Sequence, residues 1–293
     1  MKTTAALILS VFALLYVPTA HADTFGSGDD QFDIDFVTIG NPGNADDTTG
    51  SPNPAGKVEY AYRMGQFEIS EDMIDKANTL GGLGITKDTR GPDKPATSVS
   101  WFEAAQFVNW LNTSSGSTEA YKFNAGNIEL WQSGDAGYNP NNLYRNSLAT
   151  HFLPSMDEWY KAAYYDPTGG VYYDYPTGSD SVPDGIDFAG DTTFDAVFSD
   201  GGFNPAPNDI TDVGVLSPYG TAGQGGNVFE WEETDFDLVN DSSSSARGVR
   251  GGYWVSSPAA CCRRSGAATS SRSTRSASLV FASQVSLSQV QHC

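Results

Sequence analysis

The side chains able to do chemistry gather in the last quarter of the chain. Gly225-Gly226-Asn227-Val228-Phe229-Glu230-Trp231 is followed by Arg247-Gly248-Val249-Arg250-Gly251-Gly252-Tyr253-Trp254. The paired glycines permit tight backbone that a Cβ would block. Asn227 and Glu230 put two oxygen-bearing side chains into that turn, and Phe229 and Trp231 are bulky anchors for a core. A glycine-framed hairpin plugged by aromatics accounts for the same residues without any chemistry. Thiol chemistry has only Cys261, Cys262 and Cys293 to draw on. An odd number leaves at least one cysteine free or paired between chains. The chain before residue 261 must therefore hold itself together without a disulfide.

Other constellations fail. Beyond His21 the chain has only His151 and His292, too few for a His-rich iron or zinc site. No nucleophile-elbow motif accompanies His151. Carboxylates are abundant, so a pair for glycoside hydrolysis is always available, on the loops between Asp166 and Asp209 for example, but nothing selects one. The glycine pairs lack the pattern and the lysine of a phosphate loop. A net charge of −20 repels nucleic-acid phosphate and anionic lipid, which excludes nucleic acid as a partner.

The elements that must position these residues can be read from pattern. With 39% hydrophobic residues, 31 Gly and 15 Pro, the chain can fill a core but is rich in loops. Residues 1–22 read as a secretory signal peptide: Lys2, an apolar stretch from Ala5 to Val17, and Ala20-His21-Ala22 as a cleavage site. That stretch is too short to span a bilayer. The expectation is a secreted, extracytoplasmic chain starting at Asp23, with no membrane span after cleavage. Residues 23–35 read as a frayed acidic lead-in and 36–256 as one domain. Phe36–Ile39 reads as a strand, and Val58 to Ile69 as a strand leading into a helix. Ser70 caps a helix from Glu71 to about Leu80, stopped by Gly81-Gly82. Ser100-Trp101-Phe102-Glu103 and Ser155-Met156-Asp157-Glu158 are capping boxes. The first leads a helix with Trp101, Ala104, Ala105, Val108 and Leu111 on one face. The second leads one with Trp159, Ala162 and Ala163, ended by Asp166-Pro167. Asp166 to Tyr219 has no Lys or Arg, but its aromatics, Phe188, Phe194, Phe198, Phe203 and the tyrosines from Tyr172 to Tyr175, call for ordered loops. Residues 257–293 form an atypical Ala/Ser/Arg tail without strand or helix period. Residues 242–293 carry six arginines and no acid; a divergent tail and a change of reading frame near Pro258 both account for that shift.

Several of these segments together resemble the formylglycine-generating enzyme, or sulfatase-modifying factor, family. GGNVFEW and RGVRGGYW look like its hallmark strings. Tyr62 to Ser70 is similar to its "F.MG.yEVT" opening, PATSVSWFEAAQFVNW to "PVxxVSWxDAxxFxxW", and LPSMDEWYKAA to "LPTEAEWEYAA". The segments keep the family's order. Its closing "GFRVA" strand is not matched; Leu279-Val280-Phe281-Ala282-Ser283 stands in that region.

The resemblance implies an α+β, C-type-lectin-like fold of formylglycine-generating enzyme type, loop-rich with few helices. It implies an oxidase that converts a cysteine of sulfatases to formylglycine with copper and oxygen, using two cysteines five residues apart. Here the first falls at Ser256 and the second at Cys261, while the serine of the RGGS segment falls at Tyr253. Two thiolates suit Cu(I), and a hydroxyl does not replace one. Cys262 is adjacent to Cys261, and neighbouring side chains on an extended backbone point apart. The expectation is an exported, non-catalytic family member serving as a binding module for a protein or glycan ligand. The alternatives are an active copper oxidase using Cys261 and a hydrolase using the loop carboxylates. The family's structural calcium would fall at the Gly226 and Val228 carbonyls and the Glu230 carboxylate, hard oxygens of the kind calcium takes. A further family oxygen ligand falls at Gly223, which has no side chain. A metal-free hairpin with Glu230 accepting backbone hydrogen bonds remains the alternative.

Overall fold

A computed structural model describes residues 21–186, 193–202, 204–256, 263–264, 268–270 and 282–284. β1 (His21–Phe25) and β2 (Phe32–Ile39) form an antiparallel hairpin around a single 3-10 turn at Gly28–Asp30. In β2 the phenylalanines and isoleucine at 32, 34 and 36 are buried while Asp33 and Asp35 face solvent, the two-residue alternation of a half-buried strand. The hairpin corrects the reading of residues 23–35 as frayed. Asp23 is held by both terminal nitrogens of Arg63, at 2.9 and 2.6 Å, and by His151 Nε2 at 3.0 Å. Charge in this segment is therefore an anchor as well as a solvated face. The expected cleavage point after Ala22 lies within β1.

β2 pairs with β3 (Tyr62–Gly65), the short strand that the Val58 to Ile69 pattern leads to. Helix α1 (Glu71–Gly81) follows, with the Ser70 hydroxyl accepting from Met73 N–H at 3.3 Å and Gly82 closing it in the left-handed region at φ 61°. α2 (Trp101–Ser114) and, after β6 (His151–Phe152), α3 (Met156–Tyr164) both carry complete capping boxes. Their predicted apolar stripes, from Trp101 to Leu111 and from Trp159 to Ala163, are fully buried. α3 ends one turn-residue earlier than Asp166-Pro167 alone suggests, because Tyr165 leaves the helix to pair, as β7 (Tyr165–Asp166), with β8 (Val171–Tyr172). β4 (Lys122–Asn124) and β5 (Asn127–Glu129) make a small hairpin turned by Ala125 and Gly126, both at positive φ.

The hallmark segments form β9 (Glu230–Asp235) and β10 (Arg247–Arg250), and β11 (Ala268–Ser270) completes a three-stranded sheet in the order β11-β10-β9. The five-stranded sheet is ordered β1-β2-β3-β12-β6, where β12 is Ala282–Gln284. Ala282 is fully buried between Met64 of β3 and Phe152 of β6. This corrects the expectation of a tail without strand period: three residues are too few to show a period, yet they close the sheet. In the long loop region Phe198 and Tyr175 are buried, as the aromatic content requires, while Phe188 and Phe203 lie outside the described residues. Among the described residues three α-helices, short antiparallel strands and long loops make an α+β, loop-rich architecture. No helix among them is long and apolar enough to cross a membrane.

Candidate functional site

The turn before β9 is built by backbone hydrogen bonds that side chains at its glycines would break. Gly226 has φ +111°, and a Cβ there would lie 2.3 Å from the Val197 carbonyl oxygen. Its N–H donates to Gly251 O at 2.7 Å, and the N–H of Asn227, itself at φ 52°, donates to Val197 O at 2.7 Å. Trp254 N–H returns to Asn227 O at 3.0 Å. The Asn227 side chain accepts from Asn208 N–H at 2.8 Å and donates to Glu68 Oε1 at 2.9 Å. Asn227 is thus a structural clamp joining the loop region, the β3 end and the hallmark turn.

Glu230 points into the interior. It is fully buried, and Trp159 Nε1–H donates to its Oε2 at 2.5 Å. Among the described residues its Oε1 has no hydrogen-bond partner, and neither does Oε2 of the equally buried Glu68. Glu68 was not singled out in the sequence. Its signal is its place in the Tyr62 to Ser70 segment, but nothing in the chain order says that it meets Glu230. A Cβ at Gly223 would lie 2.7 Å from Glu68 Oε1, so the position lacking a side-chain oxygen is where Glu68 delivers one. Burial pushes the Glu68 carboxyl up to about 7 against the pull of Asn227. Burial, and then the charge of Glu68, pushes Glu230 well above the carboxylate range.

Two buried carboxyls with unpartnered oxygens in mutual repulsion need a cation or protons. The donor set suits calcium, which takes six to eight hard oxygens. Among the described residues no three His, Cys, Asp or Glu side chains converge, so the remaining ligands would have to be backbone carbonyls such as Gly226 and Val228. Gly251 leaves room there: its Cβ would approach Val228 O at 3.3 Å.

The expected copper position is different in kind. Ser256 is 9% exposed and locked in a turn: its N–H donates to Tyr253 O at 2.8 Å, and its hydroxyl oxygen accepts from Tyr253 N–H at 3.2 Å. Tyr253 stacks on Phe229 at 5.3 Å between centroids. Trp254 meets the Arg90 guanidinium at 5.1 Å. Cys261, Cys262 and Cys293 lie outside the described residues. Ser256 supplies no soft ligand, so the family's copper pair lacks its first thiolate in this chain.

Sequence reading also missed a set of buried ion pairs along the hallmark strands. Arg247 meets Asp235 at 2.6 Å and Arg250 meets Glu232 at 2.5 Å. Arg145, from the loop before β6, joins Glu158 of α3 through both terminal nitrogens at 2.9 and 2.8 Å and Glu233 of β9 through Nε at 2.9 Å. Consecutive residues of α3 thus serve two centres, Glu158 the Arg145 cluster and Trp159 the Glu230 turn.

This arrangement is the formylglycine-generating-enzyme type of the C-type-lectin-like fold: a curled antiparallel sheet, three helices and a glycine-bound turn before a short strand pair. The chain belongs to the family described as the sulfatase-modifying factor enzyme 1-like domain, whose sequence profile matches residues 45–279. Among solved structures it is similar to Treponema denticola variable protein 1, at 18% identity and TM-score 0.61, covering 92% of this chain and 100% of that one. It is also similar to CarF, at 14% identity and TM-score 0.62, covering 86% and 99%. PvdO from Pseudomonas aeruginosa follows at 13% identity and TM-score 0.55, covering 92% and 100%. At these identities the likeness is one of fold. Among curated proteins none matches the chain in sequence.

Proposed function

We propose that this chain is an exported, non-catalytic member of the family, a binding module for a protein or glycan ligand. The observation that carries the reading is Ser256. It stands where the family's first copper cysteine belongs, and its hydroxyl is engaged by Tyr253 N–H within its own turn. A hydroxyl does not hold Cu(I) as a thiolate does, so the family's pair of thiolates is not complete at Ser256 and Cys261. The long ordered loops between α3 and β9 are the kind of surface on which a rigid scaffold presents a binding site. Export rests on the signal-like residues 1–22. Calcium at Glu68, Glu230 and the neighbouring carbonyls would tie the loop region to the sheet and leave the chemistry to the ligand surface.

Competition for Cu(I) tests the reading. Purified protein and its Cys261→Ser variant are each titrated with Cu(I) in the presence of a chromogenic chelator. Neither should withdraw a stoichiometric equivalent of copper. Stoichiometric binding by the wild type that disappears in Cys261→Ser would mean that Cys261 has a second soft ligand, and the non-catalytic reading would fall.

A further inference from the structure

A pocket of about 290 Å³ is lined by Tyr60, Tyr62, Asn139, Arg145, Ser147 and Phe152 among others, none of them in the Glu230 turn. Of the residues in the family-like segments only Tyr62 lines it, and the copper position takes no part in it. Its volume is near the lower end for ligand sites, about 300 Å³, enough for one small ring.

Three features of the wall define what it would take. The first is Tyr60. The residue is 49% exposed, yet its hydroxyl is turned inward and donates to Glu158 Oε1 at 2.7 Å. It also packs edge-on against Tyr62, with centroids 6.2 Å apart. The phenol is tethered by its polar end, so what it offers outward is ring surface. The second is Arg145, which is 8% exposed and rigid. Its guanidinium lies 3.7 Å over Phe152. Four of its five N–H bonds are committed to Glu233, Glu158 and the Leu153 carbonyl. One Nη1 hydrogen is uncommitted among the described residues. The third is charge. One arginine faces two buried carboxylates, Glu158 and Glu233, so the cluster carries a net negative charge. An anionic ligand is disfavoured by that sum, and a cationic one by direct contact with the guanidinium. What fits is a neutral ring with an apolar face for Tyr60 and hydroxyls for the Arg145 donor and the Asn139 amide.

We propose that this pocket is a subsite for a neutral pyranose. This deepens the binding reading and rests on it, by naming a glycan as ligand.

The test uses the whole protein and the methyl glycosides of glucose, galactose and N-acetylglucosamine, followed by saturation-transfer NMR and calorimetry. At least one neutral glycoside should bind. Tyr60→Ala and Asn139→Ala should each weaken it by about tenfold or more. Tyr60→Phe keeps the ring and loses only the tether, so its affinity should stay within about twofold. Methyl glucuronide should bind about tenfold more weakly than its neutral counterpart. A variant that fails to fold shows itself by circular dichroism, and Asn139→Ala, at a partly exposed loop position, then carries the test. The assignment is overturned if no neutral glycoside saturates the folded protein, if the alanine variants bind like wild type, or if the uronide binds best. Those results leave the copper competition untouched, so failure here and failure of the non-catalytic reading are separately visible.

Discussion

Replacing Arg145 by Met should be among the most damaging single changes to this protein, and its cost should depend on pH in a predictable direction. The guanidinium is the shared cation of Glu158 and Glu233, both fully buried. Removing one partner of a buried pair costs about 3–5 kcal/mol, because a charge is left without compensation. Here two carboxylates lose the same cation, so the loss should lie near the top of that range, about 5 kcal/mol. For a chain of this size each kcal/mol moves the melting temperature by about 2 °C, giving a fall of about 10 °C at pH 7. The sign of the pH effect follows from Glu158. Burial alone would raise its carboxyl, but Arg145, by charge and hydrogen bonding, holds it below the usual range. In the wild type that contribution is present above the unfolded value and is lost as pH falls through the lower folded value. In the Met variant burial, the largest influence on this carboxyl, is opposed only by the hydrogen bonds from Ser155 N–H and Tyr60 and raises it, so the penalty applies in full above the folded value and vanishes below the unfolded one. The difference between the proteins should therefore shrink from pH 7 toward pH 4. Paired denaturant titrations of wild type and variant across that range measure it. A loss below about 1 kcal/mol at pH 7, or one that grows as pH falls, would refute the reasoning.

Glu68 titrates near 7 in the folded chain, above its unfolded value of 4.5. Metal-free protein should thus lose about 3 kcal/mol as pH rises from 4.5 to 7. Calcium should restore it, and Glu230→Gln should remove most of the calcium-dependent rise in melting temperature. No calcium effect in the wild type would leave the turn as a proton-sharing hairpin. Gly226→Ala places a Cβ 2.3 Å from Val197 O at φ +111°, and should destabilise by at least about 2 kcal/mol in denaturant titration, beyond an exposed Gly→Ala control. Ser155→Ala removes the hydroxyl that accepts from Glu158 N–H at 3.2 Å and should cost about 1 kcal/mol in the same measurement.

Much of the scaffold was legible because its signals are local. Ser70, Ser100 and Ser155 each carry a cap in the four residues that follow, and a cap needs nothing from the rest of the chain. The alternation of β2 was readable only in part, since Asp33 and Asp35 mask a strand in an acidic segment; its pairing to β1 and the Asp23 anchor on Arg63 and His151 are long-range facts. The same holds for β12, where three small residues are fixed as a strand by Met64 and Phe152 on either side. At the site, Glu230 could be named from its turn, but Glu68, whose charge acts on it, lies on another segment and is placed there by the Asn227 amide and the space at Gly223. The Arg145 cluster left no sequence signal: one arginine in a polar loop finds its carboxylates on α3 and β9 only when the chain is folded.

We propose that Ser256, at the family's first copper-cysteine position, removes its redox chemistry. The most direct test incubates folded protein with Cu(I), oxygen and a peptide bearing a Cys-x-Pro-x-Arg segment, and follows the peptide by mass spectrometry. The cysteine should stay unconverted, and Cys261→Ser should behave as wild type. Aldehyde product formed over many turnovers, and lost in Cys261→Ser, would contradict it.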